Sequence, residues 1–149
     1  MIKTTCQVAL LALLVGSVVS CTMWKKPASG WAGATGGEQL EKLFWEDVKS
    51  KNWADLDRRL ASTFAAVATN GTMDRAAFLQ KLHALNVVEV NLANCNSQLN
   101  GGDLMVTCVR DIRADSAVPP ASTLSVWQQV KKGWIMVAHS ETPLENKAQ

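Results

Sequence analysis

Residues 87–113 read VVEVNLANCNSQLNGGDLMVTCVRDIR, and the fold follows from how this stretch pairs with itself. Apolar and polar residues alternate and β-branched types are common, so strands are expected over 87–96 and 103–113. Asn100-Gly101-Gly102-Asp103 joins them. With Gly101-Gly102 as a two-residue turn, the numbers of facing residues add to 203, a condition that Cys95 and Cys108 meet. Counting outward from the bonded 100–103 pair puts 95 and 108 at a non-hydrogen-bonded position, where the Cα atoms come closer. Such a pair suits a cross-strand disulfide closing a loop of about fourteen residues, for about 3 kcal/mol. The alternative is two buried free thiols acting as small hydrophobes.

The same period of two continues downstream. Strands are expected over 122–131 and 133–140, separated from the first pair by a Pro119-Pro120 loop and from each other by a turn at Lys131-Lys132-Gly133. Upstream the period is helical. Leu40, Leu43, Phe44 and Val48 form a stripe on a helix over 38–50, with Glu41, Lys42 and Glu46 toward water. Asn52 is a candidate N-cap for a second helix bearing Trp53, Leu56 and Leu60. A short apolar stretch, Phe64–Thr69, ends at the turn dipeptide Asn70-Gly71. Asp74 can cap a third helix with Ala77, Phe78, Leu82 and Leu85 on its core face. Three helices followed by hairpin-linked strands make an α+β domain, with the helices on one face of an antiparallel sheet.

The chain has 149 residues, 48% of them hydrophobic and 19% charged, with a formal net charge of +2. This favours one globular domain. Interspersed charges with no basic stripe argue against nucleic acid as a partner. The chain contains no Tyr, which removes any mechanism that needs a phenol.

The N-terminal segment carries an address. Lys3 precedes an apolar run, Val8–Val19, of twelve residues, too short for the roughly twenty of a spanning helix and suited to an export signal. Val18-Val19-Ser20-Cys21 resembles a bacterial lipobox, which implies cleavage before Cys21 and lipidation of its thiol. The expected organisation is a signal over 1–20, a lipidated Cys21 and a flexible tether over 21–37, and a folded domain over 38–149. Thr22, standing where inner-membrane retention would want Asp, points to the outer membrane, with the domain on its periplasmic face in the bacterial cell envelope. Cys6 leaves with the signal and Cys21 is lipidated. Cys95 and Cys108 then remain in an oxidising compartment, which favours their disulfide. Gly30, Gly33, Gly36, Gly37 and Pro27 give the tether its composition. Trp24 and Trp31 within it are expected at the membrane interface, where indoles are favoured, the alternative being a return onto the domain.

Trp53-Ala-Asp55-Leu56 through Phe64, Val67-Ala-Thr-Asn-Gly71 with Arg75-Ala-Ala-Phe78-Leu79, Val126-Trp127, and Gly133-Trp134-Ile-Met-Val137-Ala-His139 with Thr142-Pro143 together resemble the nuclear transport factor 2-like superfamily. That superfamily includes the SnoaL-like and ketosteroid-isomerase-like proteins, and these residues look like a branch known only as a domain of unknown function. The resemblance spans about residues 38–146. It implies a cone formed by the helices and a curved sheet, with a pocket between them, and a homodimer through the outer sheet face. The same fold serves isomerases, hydrolases and plain binding modules. Steroid-isomerase chemistry pairs a carboxylate base with acidic donors that usually include Tyr, which this chain lacks.

His139 is the foremost titratable candidate, either as a general base or as a hydrogen-bonded structural histidine continuing the face of Ile135 and Val137. Asp111 shares a face with Arg113, opposite Arg110, and is either an inward base or part of a solvated edge; Glu89 has the same ambiguity. A one-residue bulge would reverse each of these facings. Trp45, Trp127 and Trp134 are candidate pocket walls, Trp127 and Trp45 foremost. A Ser140-His139-Asp111 set fails on strand alternation, because adjacent residues face opposite ways. His83 and His139 lie on different elements without ligand spacing, so no metal is expected, nor any cofactor. The expected function is a membrane-tethered, non-catalytic domain binding a small apolar ligand or an envelope protein. The alternative is a small isomerase or hydrolase using His139 or Asp111 as its single base.

Overall fold

The structure, a computed structural model, describes residue 31, residue 34 and residues 36–145. The lipobox, Cys21 and Trp24 lie outside the described residues. Helix α1 (Gly37–Lys49) buries Leu40, Phe44 and Val48, the expected stripe. Glu38 in its first turn and Lys49 in its last complement the helix dipole. At its start, a Cβ added to Gly37 would sit 2.3 Å from Ser97 Oγ and 2.4 Å from Val106 Cγ2. Glycine is what lets the helix lie this close to the sheet.

Helix α2 (Trp53–Arg59) follows Asn52. The Asn52 side chain does not cap it; instead its amide donates to Asp47 and Asp55 at 3.1 and 2.8 Å. The helix buries Leu56 and stops before Leu60, whose extended backbone opens β1 (Leu60–Ala68). Leu60 was expected on the helix stripe. It is buried all the same, but from a strand. After the Asn70-Gly71 turn comes a strand too short for alternation to reveal, β2 (Gly71–Asp74). Asp74 caps α3 (Arg75–His83), accepting from the Ala77 N–H at 2.8 Å. Phe78 and Leu82 are buried as expected and Leu85 packs against the core, whereas Ala77 faces solvent.

Four long strands follow: β3 (Val87–Asn100), β4 (Asp103–Ala114), β5 (Ala121–Val130) and β6 (Gly133–Pro143). The six strands form one sheet in the order β2-β1-β6-β5-β4-β3. The sheet is mixed, not antiparallel throughout, because β1 and β6 pair in parallel. A parallel pair needs a long crossover. Here the crossover includes α3 and four strands, β2 to β5, and no local pattern announces it.

The β3–β4 hairpin keeps the expected register from Asn100↔Asp103 to Asn96↔Thr107. A bulge then intervenes, with Asn94 at φ 51°, and Ala93 faces Val109. Cys95 and Cys108 form a disulfide beside that bulge, with Cα atoms 4.2 Å apart. A second irregularity falls between β5 and β6 at Val126/Trp127. It breaks the expected Ile135-Val137-His139 face, so Met136 and His139 are the residues turned into the core.

Trp127 is fully buried at the centre of the core, among Phe44, Phe78 and Trp31. The placement of Trp31 corrects the expectation of a membrane-interface residue. It is 2% exposed, its ring centroid lies 5.5 Å from that of Trp127, and its Nε1 donates to Asp47 at 3.0 Å. The Arg59 guanidinium lies over the Trp31 ring, 4.8 Å from its centroid. An indole that can bury its rings and still satisfy its N–H gains more from the core than from an interface.

Candidate functional site

Strand alternation on β4 is regular, with Leu104, Val106, Cys108, Arg110 and Ile112 all inward. An arginine in that row is the first sign of a site. Arg110 is 3% exposed, and its Nη2 donates to Glu141 Oε2 at 3.2 Å. Its guanidinium lies 5.3 Å from the centroid of the Trp45 ring. Glu141, inward on β6, also accepts from Lys81 Nζ of α3. Burial alone would raise the Glu141 carboxyl, but Lys81, Arg110 and His139 together hold it below the ordinary value.

These groups line a cavity of about 420 Å³ bounded by α3, the inner faces of β4 and β6, and the 116–119 loop. Its apolar wall comes from Phe78, Leu82, Leu85 and Val118, with Trp45 of α1 at one side. Its size falls within the usual range for small-molecule sites. A second concavity of about 460 Å³ lies between α1 and β3. Its charged groups, Lys42, Glu46 and Lys49, are exposed, whereas the first is lined by the buried Arg110 and His139, so the chemistry points to the first.

His139 lines the first cavity and is 3% exposed. Its Nδ1 lies 3.0 Å from Ser125 Oγ, and its Nε2 has no partner. Burial pushes its pKa down to about 4, against a smaller opposing pull from Glu141. At neutral pH it is therefore an uncharged imidazole. Behind Ser125 lies Glu41, which is 1% exposed, with Trp127 Nε1 donating to its Oε1 at 2.8 Å. Burial raises the Glu41 pKa, partly offset by the Ser125 and Trp127 donors. A polar line thus runs from the cavity wall into the core through His139, Ser125, Glu41 and Trp127.

Glu41 was expected to face water. The sequence held a contrary signal, because Glu41 and Trp45 are four residues apart and share a helix face. Arg110, Lys81 and Glu141 were not singled out either. Of the residues that were, His139 and Trp45 meet at the cavity. Trp127 is a core residue below it, hydrogen-bonded to Glu41. Trp134 is half-buried outside it. Asp111 lies on the exposed face of β4, pointing away from Arg110. Glu89 is exposed and paired with Arg113 at 2.7 Å. Ser140 borders a shallow outer depression with Ser122 and Thr142, apart from His139. His83 is exposed on α3, its ring stacked on Trp53 with centroids 4.0 Å apart. Among the described residues no three His, Cys, Asp or Glu side chains converge as metal ligands.

Three helices on a curved mixed sheet, with a cavity at one end, define the nuclear transport factor 2-like fold, and the chain has that fold. Solved structures align along most of it. An NTF2-like protein from Cytophaga hutchinsonii matches with TM-score 0.66 at 13% identity, over 74% of this chain and all of its own. An NTF2-like protein of unknown function in nutrient uptake from Rhodospirillum rubrum matches with TM-score 0.65 at 15% identity, over 74% of this chain and 100% of its own. A candidate ketosteroid isomerase from Parabacteroides distasonis matches with TM-score 0.64 at 8% identity, over 78% and 94%. By sequence, the chain matches no family model and no curated protein.

Proposed function

We propose that the chain is a bacterial envelope lipoprotein, anchored through a lipid on Cys21 in the outer membrane and facing the periplasm. Its nuclear transport factor 2-like domain binds a small, largely apolar ligand without transforming it. The observation that carries the binding reading is the cavity of about 420 Å³, lined by Phe78, Leu82 and Val118 together with the polar groups Lys81, Arg110, His139 and Glu141. A mostly apolar lining with a few polar groups suits a small molecule of the same mixed character. A non-catalytic role is supported by the dispersal of the candidate bases. Asp111 is on the opposite face of β4, and burial makes His139 a weakened base. The isomerase or hydrolase alternative therefore narrows to His139 alone. Homodimerisation belongs to the same proposal, through the outer sheet face where Leu124 is exposed.

Two measurements test this. Cys21→Ser should move the protein from the membrane fraction to the soluble periplasm, and retention in the membrane would refute the anchor. Native mass spectrometry of the purified protein should show a retained small molecule. A bare protein that also binds none of a panel of small apolar compounds would refute the binding reading.

A further inference from the structure

We propose that the ligand of this cavity carries a single carboxylate, received by Arg110 and Lys81, with its apolar part lying against Trp45, Phe78 and Val118. The proposal rests on the ligand-binding reading above and adds the chemical class. The first argument is charge. The titratable groups lining the cavity are Lys81 from α3, Arg110 from β4, and His139 and Glu141 from β6. With His139 neutral, two cations face one carboxylate. Glu141 has already committed both oxygens, one to Lys81 and one to Arg110. One net positive charge is left on the Lys81–Arg110–Glu141 cluster, shared between a buried arginine and a lysine partly exposed at the rim. A monoanion balances it, whereas a dianion would leave an excess of the opposite sign.

The second argument is hydrogen bonding. A guanidinium offers five N–H donors in a planar fork that matches a carboxylate. Glu141 takes one of them, while Nε of Arg110 reaches neither an acceptor nor solvent. His139 Nε2 is in the same condition on the neighbouring wall. Trp45 Nε1 is a third. Buried polar atoms are normally satisfied, and three orphans on the residues of one cavity mark a site that an incoming polar group completes. The third argument is the rest of the lining. Phe78, Leu82, Leu85 and Val118, with Trp45 beside Arg110, give the same cavity aliphatic and aromatic surface, which suits a hydrocarbon or aryl body attached to that carboxylate.

The test uses the full chain at pH 7 and four probes of similar size: phenylacetate, phenylacetamide, phenethylamine and toluene. Binding is followed by calorimetry and by tryptophan fluorescence, to which Trp45 at the cavity contributes. Phenylacetate should bind at least about tenfold more tightly than the amide, the scale of one charge-assisted hydrogen bond. Arg110→Lys keeps the charge but not the fork, and should cost phenylacetate about tenfold while leaving the amide within about twofold. Should that variant fail to fold by circular dichroism, Lys81→Gln at the partly exposed rim replaces it, with an expected loss of about threefold for phenylacetate alone. If the amide, the amine or toluene binds as tightly as phenylacetate, the carboxylate assignment is overturned and the cavity reading survives. If none of the four binds up to about 10 mM, the cavity reading itself falls.

Discussion

His139 makes the stability of this fold depend on pH in a direction that can be worked out beforehand. Its folded pKa is about 4, against 6.5 for a free imidazole. The unfolded chain therefore takes up the proton first as the pH falls. Stability from this group is fully present above pH 6.5 and drains away between 6.5 and 4. The loss amounts to about 2 kcal/mol by pH 5 and about 3 kcal/mol in all. His139→Gln retains a polar side chain next to Ser125 without the titration. At pH 7.5 the variant should be less stable by about 1 kcal/mol, from poorer packing and an altered hydrogen bond. Near pH 5 the order should reverse, because the original protein has lost what the variant never had. Urea unfolding at pH 7.5, 6 and 5 measures both free energies. A gap that stays constant within about 0.5 kcal/mol across that range would falsify the buried, neutral histidine.

Glu41 titrates with the opposite sign. Its folded pKa is raised by burial, so its contribution is present below pH 4.5 and is lost as the pH rises through the folded value; the stability of Glu41→Gln relative to the original protein should therefore increase as the pH rises above 4.5. A variant uniformly less stable at all pH values would contradict this. Cys95 and Cys108 should resist alkylation in the native protein and react after reduction, and Cys95→Ala with Cys108→Ala should lower stability by about 3 kcal/mol in urea. Trp31→Ala should cost about 3–5 kcal/mol, as expected for emptying an indole site in a core. An unchanged unfolding midpoint would return Trp31 to the tether.

The sheet was legible where its information is local. The turn at Gly101-Gly102 sets the hairpin register, and that register alone puts Cys95 opposite Cys108, the pair that forms the disulfide. It failed one residue further on, at Asn94, because a bulge is a choice made by the whole sheet as it curves. The same limit hid the inward turn of Met136 and His139, and the parallel pairing of β1 with β6, whose partners are some seventy residues apart. The site was half legible. His139 and Trp45 stand out by residue type, but the Arg110–Glu141–Lys81 cluster joins β4, β6 and α3, and only the folded chain places them together. Glu41 shows a different failure. Its charge suggested solvent, while its position four residues before Trp45 pointed to the core.

The most direct test of the binding site is to fill it. Val118 lines the cavity from the 116–119 loop and is half-buried, so Val118→Trp can occupy the space with little disturbance of the sheet. Phenylacetate affinity should fall at least about tenfold in this variant while its near-ultraviolet circular dichroism keeps the native form. Undiminished phenylacetate binding by a folded Val118→Trp protein would place the ligand elsewhere and contradict the account.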